Sequence, residues 1–214
     1  MFDAVIFDMD GLLLDTEIIA TKAGQIAFKA AGIDAPVSFF HEMVGVDSQN
    51  CRKLASARFG DSLDMDLVDR IWDRTFDELT SVRIPFKPHV EEVMEWLSGQ
   101  AFPRAIATSS GYDSAHRKVQ IAGLDRWVEI IVSRDCVPNP KPAPDPYLEA
   151  AKRLNVAPSR CVVFEDSDPG ARAALAAGMT VVQVPDIIPA GTVPVHHVAE
   201  SLISGAKACG LMPA

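Results

Sequence analysis

Several things are scarce in this 214-residue chain. Its four cysteines, Cys51, Cys136, Cys161 and Cys209, are scattered without a Cys-x-x-Cys spacing. That argues against a thiolate metal cluster or a disulfide framework and suits reduced, mostly buried thiols in a cytoplasmic protein. The five histidines, His41, His89, His116, His196 and His197, show no ligand spacing, so neither a histidine metal site nor a histidine nucleophile is indicated. No apolar run is long enough to cross a bilayer, and no basic segment precedes the first apolar run. Neither membrane insertion nor a secretory leader is expected. Positive charge is short as well: 20 Lys and Arg against 29 Asp and Glu leave a net charge of −9. A nucleic-acid partner would require basic patches, so the charge balance argues against that class. There is no internal repeat and no low-complexity segment.

What is present is enough apolar residue, 48% of the chain, for a sizeable core in one large or two small domains. The most telling segment is Val5-Ile6-Phe7-Asp8-Met9-Asp10-Gly11. An apolar strand-like run delivers two carboxylates, two positions apart, into a glycine turn. Residues i and i+2 of a strand share a face. Two acids so close repel one another unless they share a proton or a cation sits with them. A plain Asp-x-Asp-Gly surface turn is the ordinary alternative.

The pattern then becomes helical. Asp15 or Thr16 can cap a helix with Ile19, Ala23, Ile26, Ala27 and Ala30 on one stripe, ended by Gly32. Further amphipathic stretches follow at 36–44, from Asp47 or Ser48 through Phe59, and from Leu67 to Leu79. No strand pattern interrupts this block. After it, Pro88 opens a helix ended by Gly99, and strand and helix patterns alternate. Strands are expected near 104–108, 129–132, 161–164 and 180–184, helices near 111–122, 144–154 and 169–177, a short edge strand at 195–198 and a terminal helix over 200–209. Alternation of this kind predicts an α/β fold with a doubly wound, Rossmann-like parallel sheet. The early strand at 3–8 must join that sheet, because it cannot bury itself alone. The expected organisation is a core of residues 1–14 and 83–214 with a helical cap of residues 15–82 inserted into it. Ligands of such sheets bind beyond the carboxyl ends of the strands. Asp8, Thr108 and Asp166 all fall at such ends.

Three more segments carry chemistry. Ala105-Ile106-Ala107-Thr108-Ser109-Ser110-Gly111 is an apolar run ending in hydroxyls before a helix. Lys141-Pro142-Ala143-Pro144-Asp145 pins a lysine in a proline-stiffened loop, and Cys161-Val162-Val163-Phe164-Glu165-Asp166-Ser167 is a run ending in two acids. In this order the four segments resemble the haloacid dehalogenase (HAD) superfamily of phosphoryl-transfer enzymes, over Phe2 to about Val184. Within it the chain is most similar to the β-phosphoglucomutase-like branch, which has a small helical cap.

The resemblance implies a role for each residue. Asp8 would be the nucleophile that takes the phosphoryl group, and Asp10 the acid for the leaving alcohol and later the base for water. Thr108, with its hydroxyl at a helix start, would contact the phosphate, with Ser109 and Ser110 nearer the substrate; simple N-capping by Ser109 or Ser110 is compatible with this. Lys141, framed by Pro140 and Pro142, would restrain Asp8 and offset phosphoryl charge. Members of the family often place a glycine where this chain has Pro140. Asp8, Asp166 and the main-chain carbonyl of Asp10 would hold Mg²⁺, with Glu165 either a second ligand through water or a partner of the loop. Asp168 reads as an N-cap and Pro169 as a first-turn residue. Gly170 and Gly178 read as packing and turn positions. In the cap, the loop bearing Gly45, Asp47 and Ser48 would face the substrate or else be a plain interhelical turn.

The expected activity is Mg²⁺-dependent hydrolysis of small phosphomonoesters, sugar or polyol phosphates foremost, by a cytoplasmic monomer. The acidic balance does not oppose this, since a metal ion and one lysine reverse the local field. A mutase of the β-phosphoglucomutase type is the runner-up. It would carry a histidine a few residues past Asp15 and a basic cap loop, and this chain has Thr16-Glu17-Ile18-Ile19-Ala20 and Val44-Gly45-Val46-Asp47-Ser48 there. A non-catalytic phosphate-binding regulator is the alternative of another class, although Asp8, Asp10, Lys141 and Asp166 are all retained.

Overall fold

A computed structural model describes residues 2–44, 48–60 and 62–213, without the side chains of 48 and 49. Gly45 and Asp47 therefore lie outside the described residues. The chain divides into two compact units, Met1–Asp15 with Pro85–Ala214, and Thr16–Ile84.

The first unit is built on a six-stranded sheet. Strand β1 (Ala4–Phe7) opens it, and helices α1 (Thr16–Ala30), α2 (Val37–Met43), α3 (Ser48–Phe59) and α4 (Met65–Val82) of the second unit follow in the chain. The sheet then resumes with α5 (Val90–Gly99), β2 (Arg104–Ala107), α6 (Tyr112–Ala122), β3 (Ile130–Val132), α7 (Asp145–Leu154) and β4 (Cys161–Glu165). It ends with α8 (Asp168–Ala176), β5 (Thr180–Gln183), β6 (His197–Val198) and α9 (Leu202–Ala208). The strand order is β3-β2-β1-β4-β5-β6, and every pairing is parallel.

Strands covered on both faces must be apolar throughout, and every residue of β1 and β4 is buried. Ala4 and Ile6 of β1 pack on one face with Tyr147, Ala150 and Ala151 of α7 and Ala171, Ala173 and Ala174 of α8. Small residues on those helices let their backbones approach the sheet closely. After β3 the chain crosses back over the sheet to add β4 on the far side of β1. The switch point between β1 and β4 is where such sheets open a crevice at their carboxyl edge.

Element boundaries differ from expectation by a residue or two. Asp8 and Thr108 lie just past the last paired residues of their strands, and each still donates one ladder hydrogen bond, Asp8 N to Phe164 O and Thr108 N to Val132 O, both at 2.9 Å. The N-cap of α8 is Ser167, whose side chain accepts from Gly170 N, and Asp168 moves into the first turn. There Asp168 accepts from Gln183 Nε2 at 3.0 Å and Gly191 N at 3.1 Å, tying down the loop after β5. Gly178 does sit at a turn, with φ of +76°.

The second unit is all helical. Its core is a cluster of edge-to-face phenylalanines in which Phe28 meets Phe39, Phe40 and Phe59 with ring centroids 5.4–5.6 Å apart. Trp72 donates from Nε1 to Ala20 O, pinning α4 to α1. No helix among the described residues is long and apolar enough to cross a membrane.

Candidate active site

Register builds the site. Phe7 is the partner of Phe164 in the β1–β4 ladder, and their rings stack at 5.5 Å. The residues that follow, Asp8 and Glu165, must therefore emerge side by side. Asp8 N continues the ladder by donating to Phe164 O at 2.9 Å. Asp8, Glu165 and Asp166 each present an oxygen within 4.8 Å of the others.

Lys141 lies between two of these acids. Its Nζ donates to Asp8 Oδ1 at 2.5 Å and to Glu165 Oε1 at 2.6 Å. Glu165 is fully buried, and both its oxygens are taken: Oε1 accepts also from Tyr147 OH, and Oε2 from Ser167 N and Oγ, all at 2.9 Å. This acid is the rigid bracket of Lys141. Gly170 makes room for it, because a Cβ there would fall 1.6 Å from Glu165 Oε1.

The electrostatics follow from burial. Burial pulls the Lys141 ammonium down, but Asp8 and Glu165 outweigh it and hold its pKa well above the usual lysine value. Burial also pushes Glu165 up, and the Lys141 contact overcomes that to leave it below the ordinary range. Asp8 is pushed up to about 7, by burial first, with Lys141 opposing. Asp166 is pushed up to about 10, by burial and then by the charges of Asp8 and Glu165. Two buried acids, Asp8 and Glu165, thus hold one lysine between them, with the partly buried Asp166 beside them, so negative charge is in excess.

The donor set fits a hard divalent cation, which prefers carboxylate and carbonyl oxygens. A second feature agrees. Asp186 Oδ1 accepts from Lys87 Nζ at 2.5 Å, while its Oδ2 is buried with no hydrogen-bond partner among the described residues. That atom lies 3.5 Å from where a Cβ on Gly11 would be, and the same Cβ would lie 2.3 Å from Asp166 Oδ2. Gly11 thus serves two ends: its φ is +84°, which favours glycine, and it leaves space beside both acids.

Asp10 is held apart from this trio. Its Oδ1 accepts from Lys118 Nζ at 2.8 Å and its Oδ2 from Ser110 Oγ at 2.8 Å. Thr108 is buried at the end of β2, and its Oγ1 accepts from Ser110 N at 3.0 Å. Ser109 is exposed.

Asp8, Glu165, Asp166 and Lys141 therefore lie in direct contact or close to it, and Asp10, Ser110 and Thr108 form a linked second group. Sequence reasoning missed Lys118, Tyr147, Ser167 and the Lys87–Asp186 pair. Lys118 left one readable trace. It falls on the buried stripe of α6 with Ala115 and Val119, where lysine is out of place. Tyr147 likewise shares the buried stripe of α7 with Ala150 and Ala151.

Similarity to known proteins agrees with this geometry. Residues 5–184 match the family described as haloacid dehalogenase-like hydrolase. A phosphorylated carbohydrates phosphatase of Thermotoga maritima is 32% identical over 182 residues, 83% of this chain and 82% of that protein. The fructose-1-phosphate phosphatase YqaB of Escherichia coli is 32% identical over 186 residues, 86% of this chain and 96% of that one. Among solved structures, a HAD-family hydrolase of Deinococcus radiodurans R1 with bound phosphate and sodium superposes with a TM-score of 0.88 at 27% identity, covering 99% of this chain and 98% of its own.

Proposed function

The chain belongs to the haloacid dehalogenase-like hydrolase family and is a phosphatase, and we propose that it hydrolyses small sugar or polyol phosphates through a phosphoryl group carried on Asp8. The observation that carries this is the Asp8–Lys141–Glu165–Asp166 cluster, with Asp10 clasped separately two residues from the nucleophile.

In the first step an Asp8 oxygen attacks phosphorus. The bond from phosphorus to the substrate oxygen breaks, and that oxygen leaves with its electron pair and takes a proton from Asp10. In the second step water attacks phosphorus, gives its proton to the Asp10 carboxylate, and the Asp8–phosphorus bond breaks to return the Asp8 carboxylate. Splitting one displacement into two lowers each barrier. Lys141 restrains Asp8 and offsets charge on the transferring oxygens. The Thr108 hydroxyl accepts from Ser110 N and keeps its own hydrogen for a phosphoryl oxygen. Mg²⁺, held by Asp8, Asp166 and the main-chain carbonyl of Asp10, would neutralise phosphoryl charge in the transition state. Glu165 serves as the bracket of Lys141, since its oxygens are already taken.

The substrate class is drawn from the relatives, which are named for phosphorylated carbohydrates and fructose 1-phosphate. The test is phosphate release from a panel of sugar, polyol and other metabolite phosphates, with Mg²⁺ and with EDTA. Wild-type protein is expected to release phosphate only with the metal, and Asp8→Asn to release none. Activity that survives Asp8→Asn would overturn the nucleophile assignment. No release from any ester would overturn the hydrolase reading.

A further inference from the structure

We propose that Lys118 is a positioning residue which, with Ser110, fixes the Asp10 carboxylate in the orientation from which it exchanges protons with the leaving alcohol and with water. The proposal rests on the acid–base role of Asp10 stated above and adds the device that sets its geometry.

The case begins with an anomaly. Lys118 is 8% exposed on the inward stripe of α6, beside Ala115 and Val119. An apolar side chain would pack there without the cost of removing an ammonium from water, so the position is not explained by packing. The Nζ instead reaches Asp10 Oδ1 at 2.8 Å and Ser110 Oγ at 3.1 Å, while Ser110 Oγ donates to Asp10 Oδ2 at 2.8 Å. The three side chains close a ring. A carboxylate gripped at one oxygen can still rotate about its Cβ–Cγ bond, whereas one gripped at both has its plane set.

Two further contacts anchor the ring. Ser110 N donates to Thr108 Oγ1 at 3.0 Å, and Arg134 N donates to Ser110 O at 3.2 Å. The grip thus ties Asp10, on the loop after β1, to the turn after β2 and to a rigid helix. An acid–base group must stay within hydrogen-bond reach of the reacting oxygen through both steps. Small errors in placement are costly to such a group.

A merely structural lysine and a positioning lysine differ in one readout. p-Nitrophenol departs as an anion without help, so its ester needs little from the acid, whereas glycerol 1-phosphate has a poor leaving group and depends on it. The kcat/KM for each ester reports the steps up to departure of the alcohol. Both are measured for wild type, Asp8→Asn, Asp10→Asn, Lys118→Met, Lys118→Arg and Ser110→Ala.

The expected result is that Lys118→Met loses about 10²-fold on glycerol 1-phosphate and at least tenfold less than that on p-nitrophenyl phosphate. Asp10→Asn should show the same selectivity, Lys118→Arg should recover part of it, and Ser110→Ala should show a smaller effect in the same sense. Lys118→Gln replaces the methionine variant if the latter does not fold. Equal losses on the two esters with Lys118→Met, while Asp10→Asn stays selective, would overturn the proposal and leave the acid–base assignment standing. Loss of selectivity in Asp10→Asn as well would overturn both. Activity in Asp8→Asn would overturn the reaction scheme itself.

Discussion

Replacing Lys141 with methionine should unfold the α/β unit more easily and in a pH-dependent way. The lysine side chain is 3% exposed, and it touches Asp8 at 2.5 Å and the fully buried Glu165 at 2.6 Å. At an effective dielectric constant near 20, each contact is worth roughly 6–7 kcal/mol of Coulomb attraction. Desolvation of the three groups offsets most of that, so the net worth of the cluster is far smaller than the sum. Removing one partner exposes the imbalance, and stranding a buried charge costs about 3–5 kcal/mol. Glu165 keeps Tyr147 and Ser167 as donors, so Asp8 bears more of the loss.

The sign with pH follows from the shifts. Glu165 is held below its ordinary pKa, so its contribution is present above about 4.5 and is lost as pH falls. Lys141 is held above its own, so its contribution persists until pH rises past the lysine range. Asp8 ionises in the native protein at about 7, so the ion pair with Lys141 is complete only above that. The variant should therefore be about 3–5 kcal/mol less stable than wild type at pH 8.5, and less so at pH 5. Urea titrations in EDTA, followed by circular dichroism and tryptophan fluorescence, would measure this. Adding Asp8→Asn to Lys141→Met should recover about 2 kcal/mol at the higher pH. A loss below about 1 kcal/mol at pH 8.5, or no recovery in the double variant, would refute the reasoning.

Further outcomes are expected. Burial raises Asp8 to about 7 and Asp166 to about 10, so Mg²⁺ held at these acids, as proposed, would displace protons and its affinity should rise from pH 5 to pH 8; calorimetry in two buffers of different ionisation enthalpy reads the released protons, and flat affinity would contradict it. Gly170→Ala would thrust a methyl group into Glu165 Oε1, lowering stability by about 1–3 kcal/mol and kcat by displacing Lys141, as melting curves and turnover of the same sample would reveal. In the helical unit, Phe39→Ala removes the ring that meets Phe28, Phe40 and Phe59, at a cost of about 3–5 kcal/mol visible as earlier hydrogen exchange in α1 and α3; unaltered exchange there would count against the cluster as that unit's core.

Much of this molecule was legible along the chain because the relevant signals are local. Apolar runs of four or five residues that end in acids or hydroxyls mark buried parallel strands and place Asp8, Thr108 and Asp166 at one edge. Alternation of strand and helix implies a doubly wound sheet, and the uninterrupted amphipathic stretch after Asp15 implies a helical insertion. Proline on both sides of Lys141 marks a lysine held in place. These features need no knowledge of distant partners, since periodicity and backbone restriction act within a few residues.

What the tertiary structure alone decided is which side chain grips which. The register of Phe7 against Phe164 sets Asp8 beside Glu165 across 157 residues of sequence. No local pattern encodes it, because strand pairing is settled by packing on both faces of the sheet. Glu165 and Asp166 are adjacent acids in the chain, yet one is fully hydrogen-bonded as a bracket while burial and like charge drive the other up to about 10. Lys118 shows along the chain only as a lysine on an apolar helical stripe; its partner is decided by the fold, which brings its ammonium to an acid 108 positions earlier in the chain. Charge and proton affinity in such a site depend on burial and on neighbours a few ångströms away, and those are properties of the folded arrangement alone.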